Sequence, residues 1–152
     1  MSKRIKKTWP HLASRLVLRP PAMQVAAICV RVKSGEKQIL LITSRGTGRW
    51  IVPKGWPMRN KSNAEAALQE AWEEAGVKSG KVSKKPLGRF HYDKLHDDGH
   101  ITPIEAEAFL VDVEELSANY PEADQRTRQW VAPAAAARLV SEKGLKALLL
   151  SL

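Results

Sequence analysis

Two rhythms of apolar positions organise the chain. From Gln24 to Lys33 and again from Gln38 to Ser44, Val, Ile, Leu and Ala run almost unbroken over strand lengths, and Ser34-Gly35-Glu36-Lys37 between them reads as a turn. Trp50 to Gly55 reads as a short strand or strand end running into a tight turn at the glycine. From about Asn63 to Ala75 the period becomes helical, with Ser62 or Asn63 available as the cap and Gly76 as the stop. Leu87 to Tyr92 and Ile104 to Val113 are predicted strands on either side of a polar, histidine-rich loop. Pro133 opens an alanine-rich helix to about Ser141, and Lys143 to Leu150 gives a last short helix. Strands interrupted by one helix and closed by others predict a layered α/β arrangement, with no internal repeat or interdomain linker.

The predicted helix over 63–75 carries two unlike faces. At 100° per residue with Glu70 at the origin, Glu73 falls near about 300° and Glu74 near about 40°, while Ala64, Ala67, Leu68, Ala71 and Ala75 centre on the opposite side. Such an acidic stripe is either a solvated face or a metal site. The loop ahead of it favours the metal. Gly55 can take a backbone conformation, or allow a close approach, that a side chain would forbid. Magnesium and manganese take oxygen ligands, which i, i+3 and i, i+4 spacing presents from one rigid element. Lys54 beside Gly55 is either a phosphate contact or a solvent-facing turn lysine, and Arg45 and Arg49 around the Gly46-Thr47-Gly48 turn are either polyphosphate contacts or ordinary turn arginines.

At these residues the chain resembles the Nudix hydrolase family. The family's box is a glycine, five residues, a glutamate, seven residues, then Arg-Glu-apolar-x-Glu-Glu-x-Gly-apolar. Gly55 holds the first place, Gln69-Glu70-Ala71-Trp72-Glu73-Glu74-Ala75-Gly76-Val77 closes the pattern, and the spacing is unbroken. The departures are Lys61 at the box's first glutamate and Gln69 at its arginine, which in the family helps position the acidic cluster. The likeness extends to Val25–Val30, Ile39–Arg45 and Arg126–Val131, and so covers roughly residues 22 to 150. The RWIVPKG and RQWV runs look most like the branch that cleaves diadenosine polyphosphates and diphosphoinositol polyphosphates.

The resemblance implies a Nudix-like α/β/α sandwich with a mixed central sheet and a Mg²⁺ or Mn²⁺ cofactor. It implies Glu70 and Glu74 as metal ligands, with Glu73 a third ligand or the group that orients or deprotonates water. A further carboxylate from outside the box is expected at Asp124, with Glu122, Glu105 and Glu107 as alternatives; the two residues at 105 and 107 share one face of their strand. Trp130 reads as a packing anchor. The expected activity is metal-dependent pyrophosphohydrolysis of a phosphorylated small molecule by a monomer or homodimer. The alternatives are an RNA 5′ pyrophosphohydrolase and a noncatalytic nucleotide or RNA binder on a degenerate scaffold.

Composition narrows the setting. A chain of 152 residues, 43% of them hydrophobic, fits one domain with a sizeable core. No apolar stretch approaches the roughly 18 residues of a membrane span, no signal-peptide core is evident, and cytoplasm is the default. Lone Cys29, in an apolar run, reads as a buried reduced thiol. The net charge of +9 favours anionic partners. Residues 1–21 form a basic leader with Lys3, Arg4, Lys6, Lys7, Arg15 and Arg19 and no acidic residue, suited to RNA, to polyphosphate or to plain solubility, ahead of a domain at 22–152. His91, His96 and His100 with Asp93, Asp97 and Asp98 match no zinc spacing and read as a solvated or substrate-edge loop, and His11 adds no signal.

Overall fold

A long, nearly continuous apolar strand needs cover on both faces, and the computed structural model, which describes residues 20–152, provides it. Strand β1 (Ala22–Lys33) lies at the centre of an eight-stranded sheet. It pairs antiparallel with β2 (Glu36–Thr43) and parallel with β7 (Ile101–Leu116), from Ala22 opposite Ile104 to Val30 opposite Asp112. The order is β3-β2-β1-β7-β5, where β3 is Trp50–Ile51 and β5 is Val77–Val82. Three further strands add to this path: β4 (Lys54–Gly55) on β1, β6 (Gly88–Leu95) on β7 and β8 (Arg128–Val131) on β2.

Alternation along β1 divides the core in two. Val25, Ala27 and Cys29 pack with Leu40, Ile42 and the buried alanines of helix α1 (Asn63–Ala75). Ala26, Ile28 and Val30 pack with Ile39, Leu41, Phe90 and helices α2 (Pro133–Leu139) and α3 (Lys143–Leu150). The result is the α/β/α sandwich with a mixed central sheet that the resemblance implied. Cys29 is fully buried, and burial pushes its thiol up to about 12.

Both ends of α1 are fixed. Ser62 is the cap: its side chain accepts from Glu65 N at 3.1 Å while Glu65 Oε1 accepts from Ser62 N at 2.8 Å, a reciprocal capping box. Gly76 ends the helix in the left-handed region at φ 73°, and its N–H returns to Trp72 O at 3.0 Å. Arg128 Nη1 donates to Ala75 O at 2.8 Å, which places a cation at the helix C-terminus.

Several boundaries differ from the sequence expectation. The expected turn at 34–37 is shorter, because β2 begins at Glu36. Helix α2 stops at Leu139, and Val140 is extended. The histidine-rich loop shrinks to a hairpin turn, because β6 runs to Leu95 and β7 begins at Ile101. His96 and His100 stack there with centroids 3.9 Å apart, whereas His91 and Asp93 belong to β6. Strand β5 was missed because VKSGKV has little apolar pattern, and β8 was not read as a strand. Trp130 on β8 lies opposite Leu40, with the Arg31 guanidinium 4.3 Å from its ring centroid. Among the described residues no helix is long and apolar enough to cross a membrane. His11 and all of the basic leader except Pro20 and Pro21 lie outside the described residues.

Candidate functional site

The sheet brings the loop and the helix together through β4. Val25 pairs with Gly55 and Ala26 with Lys54, so the glycine is held against the exposed edge of α1. A Cβ on Gly55 would stand 2.5 Å from Glu70 Cδ and Oε1 and 2.7 Å from Oε2. Its φ is not positive. Close approach, rather than an unusual backbone angle, is therefore what requires glycine here.

Glu74 departs from the solvated reading of the acidic stripe. It is only 8% exposed and is buried along with Ala67, Ala71 and Ala75 of its own helix. Each carboxylate oxygen has a partner: Oε1 accepts from Lys54 N at 3.2 Å, and Oε2 lies 3.6 Å from Arg126 Nη2. The Glu70 and Glu74 carboxyls lie side by side, close enough to share a proton. Burial pushes Glu70 up to about 8, helped by the charge and hydrogen bond of Glu74 and then by Glu73 and Glu122. Glu74 is raised too, by burial, against the opposing pull of Arg126 and the Lys54 N–H.

The pair opens into a cleft of about 380 Å³. Lys54, Arg45, Lys94 and Arg126 supply cationic groups to its lining, and Trp56, 47% exposed, adds a flat apolar surface. The Lys54 ammonium sits 5.0 Å from the centroid of Tyr92, whose hydroxyl donates to Gln24 Oε1. Burial lowers the pKa of Lys54, while the charges of Glu142 and Glu74 counteract it.

Not every expected residue converges on this cleft. Glu70, Glu74, Lys54, Gly55 and Arg45 line it; Glu73, Arg49 and Asp124 do not. Asp124 is exposed. Its neighbour Glu122 turns toward the site, accepting from Arg126 Nε at 2.9 Å, and its own N–H donates to Glu73 O at 3.0 Å. Glu105 and Glu107 share a strand face, as expected, but are engaged outside the cleft: Arg89 reaches them at 3.1 and 3.2 Å, and Asn63 donates to Glu107 at 3.1 Å. Arg49 closes its own loop, its N–H donating to Ser44 Oγ at 3.0 Å. Sequence reading missed Arg126, Tyr92, Gln24, Trp56 and Lys94. Gln24, a polar residue opening a buried apolar run, is the one that carried a local signal.

The donor set fits a divalent cation. Two like charges held in contact in a partly buried place favour a counter-ion, and magnesium commonly binds through one or two carboxylates plus substrate phosphates rather than an all-protein cage. Among the described residues no group of three His, Cys, Asp or Glu side chains is gathered that could hold a metal ion, so the protein's own donors here are the Glu70–Glu74 pair. The two departures from the box, Lys61 and Gln69, line a separate cleft of about 400 Å³ with Glu65, Trp72 and Lys78.

Comparison with known proteins identifies the family and the fold. Residues 22–149 match the NUDIX domain. The chain is 33% identical over 117 residues to Nudix hydrolase 21, chloroplastic, of Arabidopsis thaliana, covering 74% of this chain and 54% of that protein. It is 33% identical over 109 residues to diphosphoinositol polyphosphate phosphohydrolase 3-alpha of Mus musculus, covering 70% and 62% respectively. The matched region is thus less than two thirds of either relative. The C. elegans Ap4A hydrolase crystal structure shares the fold at a TM-score of 0.59 and 17% identity, over 86% of this chain and 94% of that one. A NUDIX hydrolase from Nitrosomonas europaea does so at 0.63 and 18%, over 86% of each chain. With its box intact in spacing and the domain match spanning residues 22–149, the chain belongs to the Nudix family.

Proposed function

We propose that the protein is a Mg²⁺- or Mn²⁺-dependent hydrolase of phosphoanhydride bonds in small, highly phosphorylated molecules, with diadenosine polyphosphates and diphosphoinositol polyphosphates as its substrate classes. The observation that carries this reading is the Glu70–Glu74 pair pressed against Gly55 in a cleft lined by four cationic side chains. Glu70 and Glu74 would hold the metal, which when bound polarises phosphate oxygens and acidifies water. Glu73, near enough for its charge to act on Glu70, is the third carboxylate of the set. Glu122, whose charge acts on both Glu70 and Glu74, suits the outer carboxylate better than exposed Asp124 does.

The cationic groups bind and orient substrate. Lys54 and Arg45 offer N–H donors to phosphate oxygens, and Lys94 adds positive charge across the cleft. They offset the negative charge that accumulates as a phosphoanhydride is cleaved. The match to a diphosphoinositol polyphosphate phosphohydrolase supports the substrate class, as does the excess of basic residues.

Phosphate release measured across dinucleoside polyphosphates, inositol pyrophosphates, ADP-ribose and nucleoside triphosphates, each with Mg²⁺ and with Mn²⁺, tests the proposal. Absence of metal-dependent turnover on all of them would sink it. The alternative is a noncatalytic nucleotide or RNA binder, motivated by Lys61 and Gln69 at the two departures from the box; a nucleotide that binds tightly and is never cleaved would support it.

A further inference from the structure

We propose that Arg126 is the positioning residue of the acidic pair, an inference that rests on the metal-site reading above. Its side chain is only 6% exposed, and a buried guanidinium is costly unless its donors are met. Here they are met by three separate parts of the chain. Nη1 donates to Thr43 O at 3.0 Å at the end of β2, Nε donates to Glu122 Oε1 at 2.9 Å in the loop before β8, and Nη2 faces Glu74 Oε2 at 3.6 Å on α1. Together with the Lys54 N–H on Oε1, the ion pair of Arg126 with Oε2 engages the Glu74 carboxylate at both oxygens. Glu70, in the same cleft and pressed against Gly55, then faces a Glu74 carboxylate of fixed orientation.

Position 69 does not share this task. Gln69 lines the second cleft, so the helix contributes no cation to the carboxylates from that position. The planar fork of Arg126 can address three acceptors in fixed directions, whereas a lysine ammonium acts as a compact point charge. Replacing it with lysine therefore keeps the charge and removes the orientation.

The test is Arg126→Lys in the full chain, with Mn²⁺ binding followed by the electron paramagnetic resonance signal of free Mn²⁺ in the absence of substrate, alongside thermal unfolding of the metal-free protein. The Mn²⁺ dissociation constant should rise about tenfold or more, the scale seen when a partner that orients a metal ligand is lost. Turnover lost at fixed metal should be partly regained at higher Mn²⁺, with little change in the substrate KM. A variant that unfolds at lower temperature yet binds Mn²⁺ like wild type shows Arg126 to be a structural tie only and overturns the inference, leaving the proposed function standing. Wild type that turns over substrate with no divalent metal present overturns both. If Arg126→Lys is unfolded at the assay temperature, Arg126→Gln, which removes the charge but keeps an N–H donor, is read by the same criteria.

Discussion

Gly55 and Glu70 approach so closely that a single methyl group cannot be placed between them: its carbon would lie 2.5 Å from the carboxylate carbon. The crowded atoms are the far end of a flexible side chain, so Gly55→Ala should be accommodated by swinging Glu70 away. Thermal unfolding is expected to change little, while turnover falls by at least about 10²-fold, a loss of the size that follows removal of a transition-state electrostatic contact. Unchanged kcat would show that Glu70 is not needed where it stands.

Glu74→Gln should lower turnover by at least about 10²-fold and weaken Mn²⁺ binding, because the amide keeps the shape and removes the charge. Glu65→Gln is the matched control on the same helix, since glutamine also completes a capping box. Steady-state kinetics on both variants, with circular dichroism to confirm folding, decides the assignment. If both match wild type at saturating metal, the proposed site is wrong.

The raised pKa of Glu70 gives a signed pH dependence. Between the ordinary carboxylate value of 4.5 and about 8, the native state retains a proton that the unfolded chain has released. Its contribution to stability is therefore present at the acidic end of that window and lost as pH rises through it. Metal-free unfolding temperatures should fall across the window because of this group, and Glu70→Gln should flatten that part of the slope. Apparent Mn²⁺ affinity should rise over the same range, since metal and proton compete for the pair.

Restoring the family's residues at the two departures, as Lys61→Glu with Gln69→Arg, should leave kcat/KM within about threefold of wild type, because separated sites without shared partners act nearly independently. Both side chains line the second cleft and not the first. A gain of tenfold or more in kcat/KM would show that the box arginine acts on the carboxylates through a route absent from this arrangement.

The legible parts of this fold were those with a local cause. Val25 to Val30 announced a strand, Ser62 was one of two candidates for the start of α1, and Gly76 announced its end. The unbroken spacing from Gly55 to Val77 is local too, and Gly55, Glu70 and Glu74 line one cleft. What stayed hidden depends on pairing between distant segments. Arg126 reaches Thr43 across 83 positions and Glu74 across the helix packing, and no periodicity encodes either contact. Glu74 looks solvated on a helical wheel because the wheel does not show that β4 and Arg126 cover that edge. Asp124 and Glu122 are both acidic residues of one short loop, and only the turn of the backbone decides which of them faces Arg126.

Because α1 is pinned at Ser62 and at Gly76, its length is constrained more tightly than its composition. One residue inserted between Glu70 and Glu74 would rotate everything after it by about 100° and would advance it by about 1.5 Å. Glu74 would leave its place opposite Lys54, and the left-handed stop would no longer meet Tyr120 and Arg128. Substitutions along this helix perturb one contact at a time, whereas a change of register disturbs the lock at the far end and the carboxylate pair together. Insertions and deletions should therefore be far less tolerated between Gly55 and Gly76 than in the exposed hairpin turn at His96–His100.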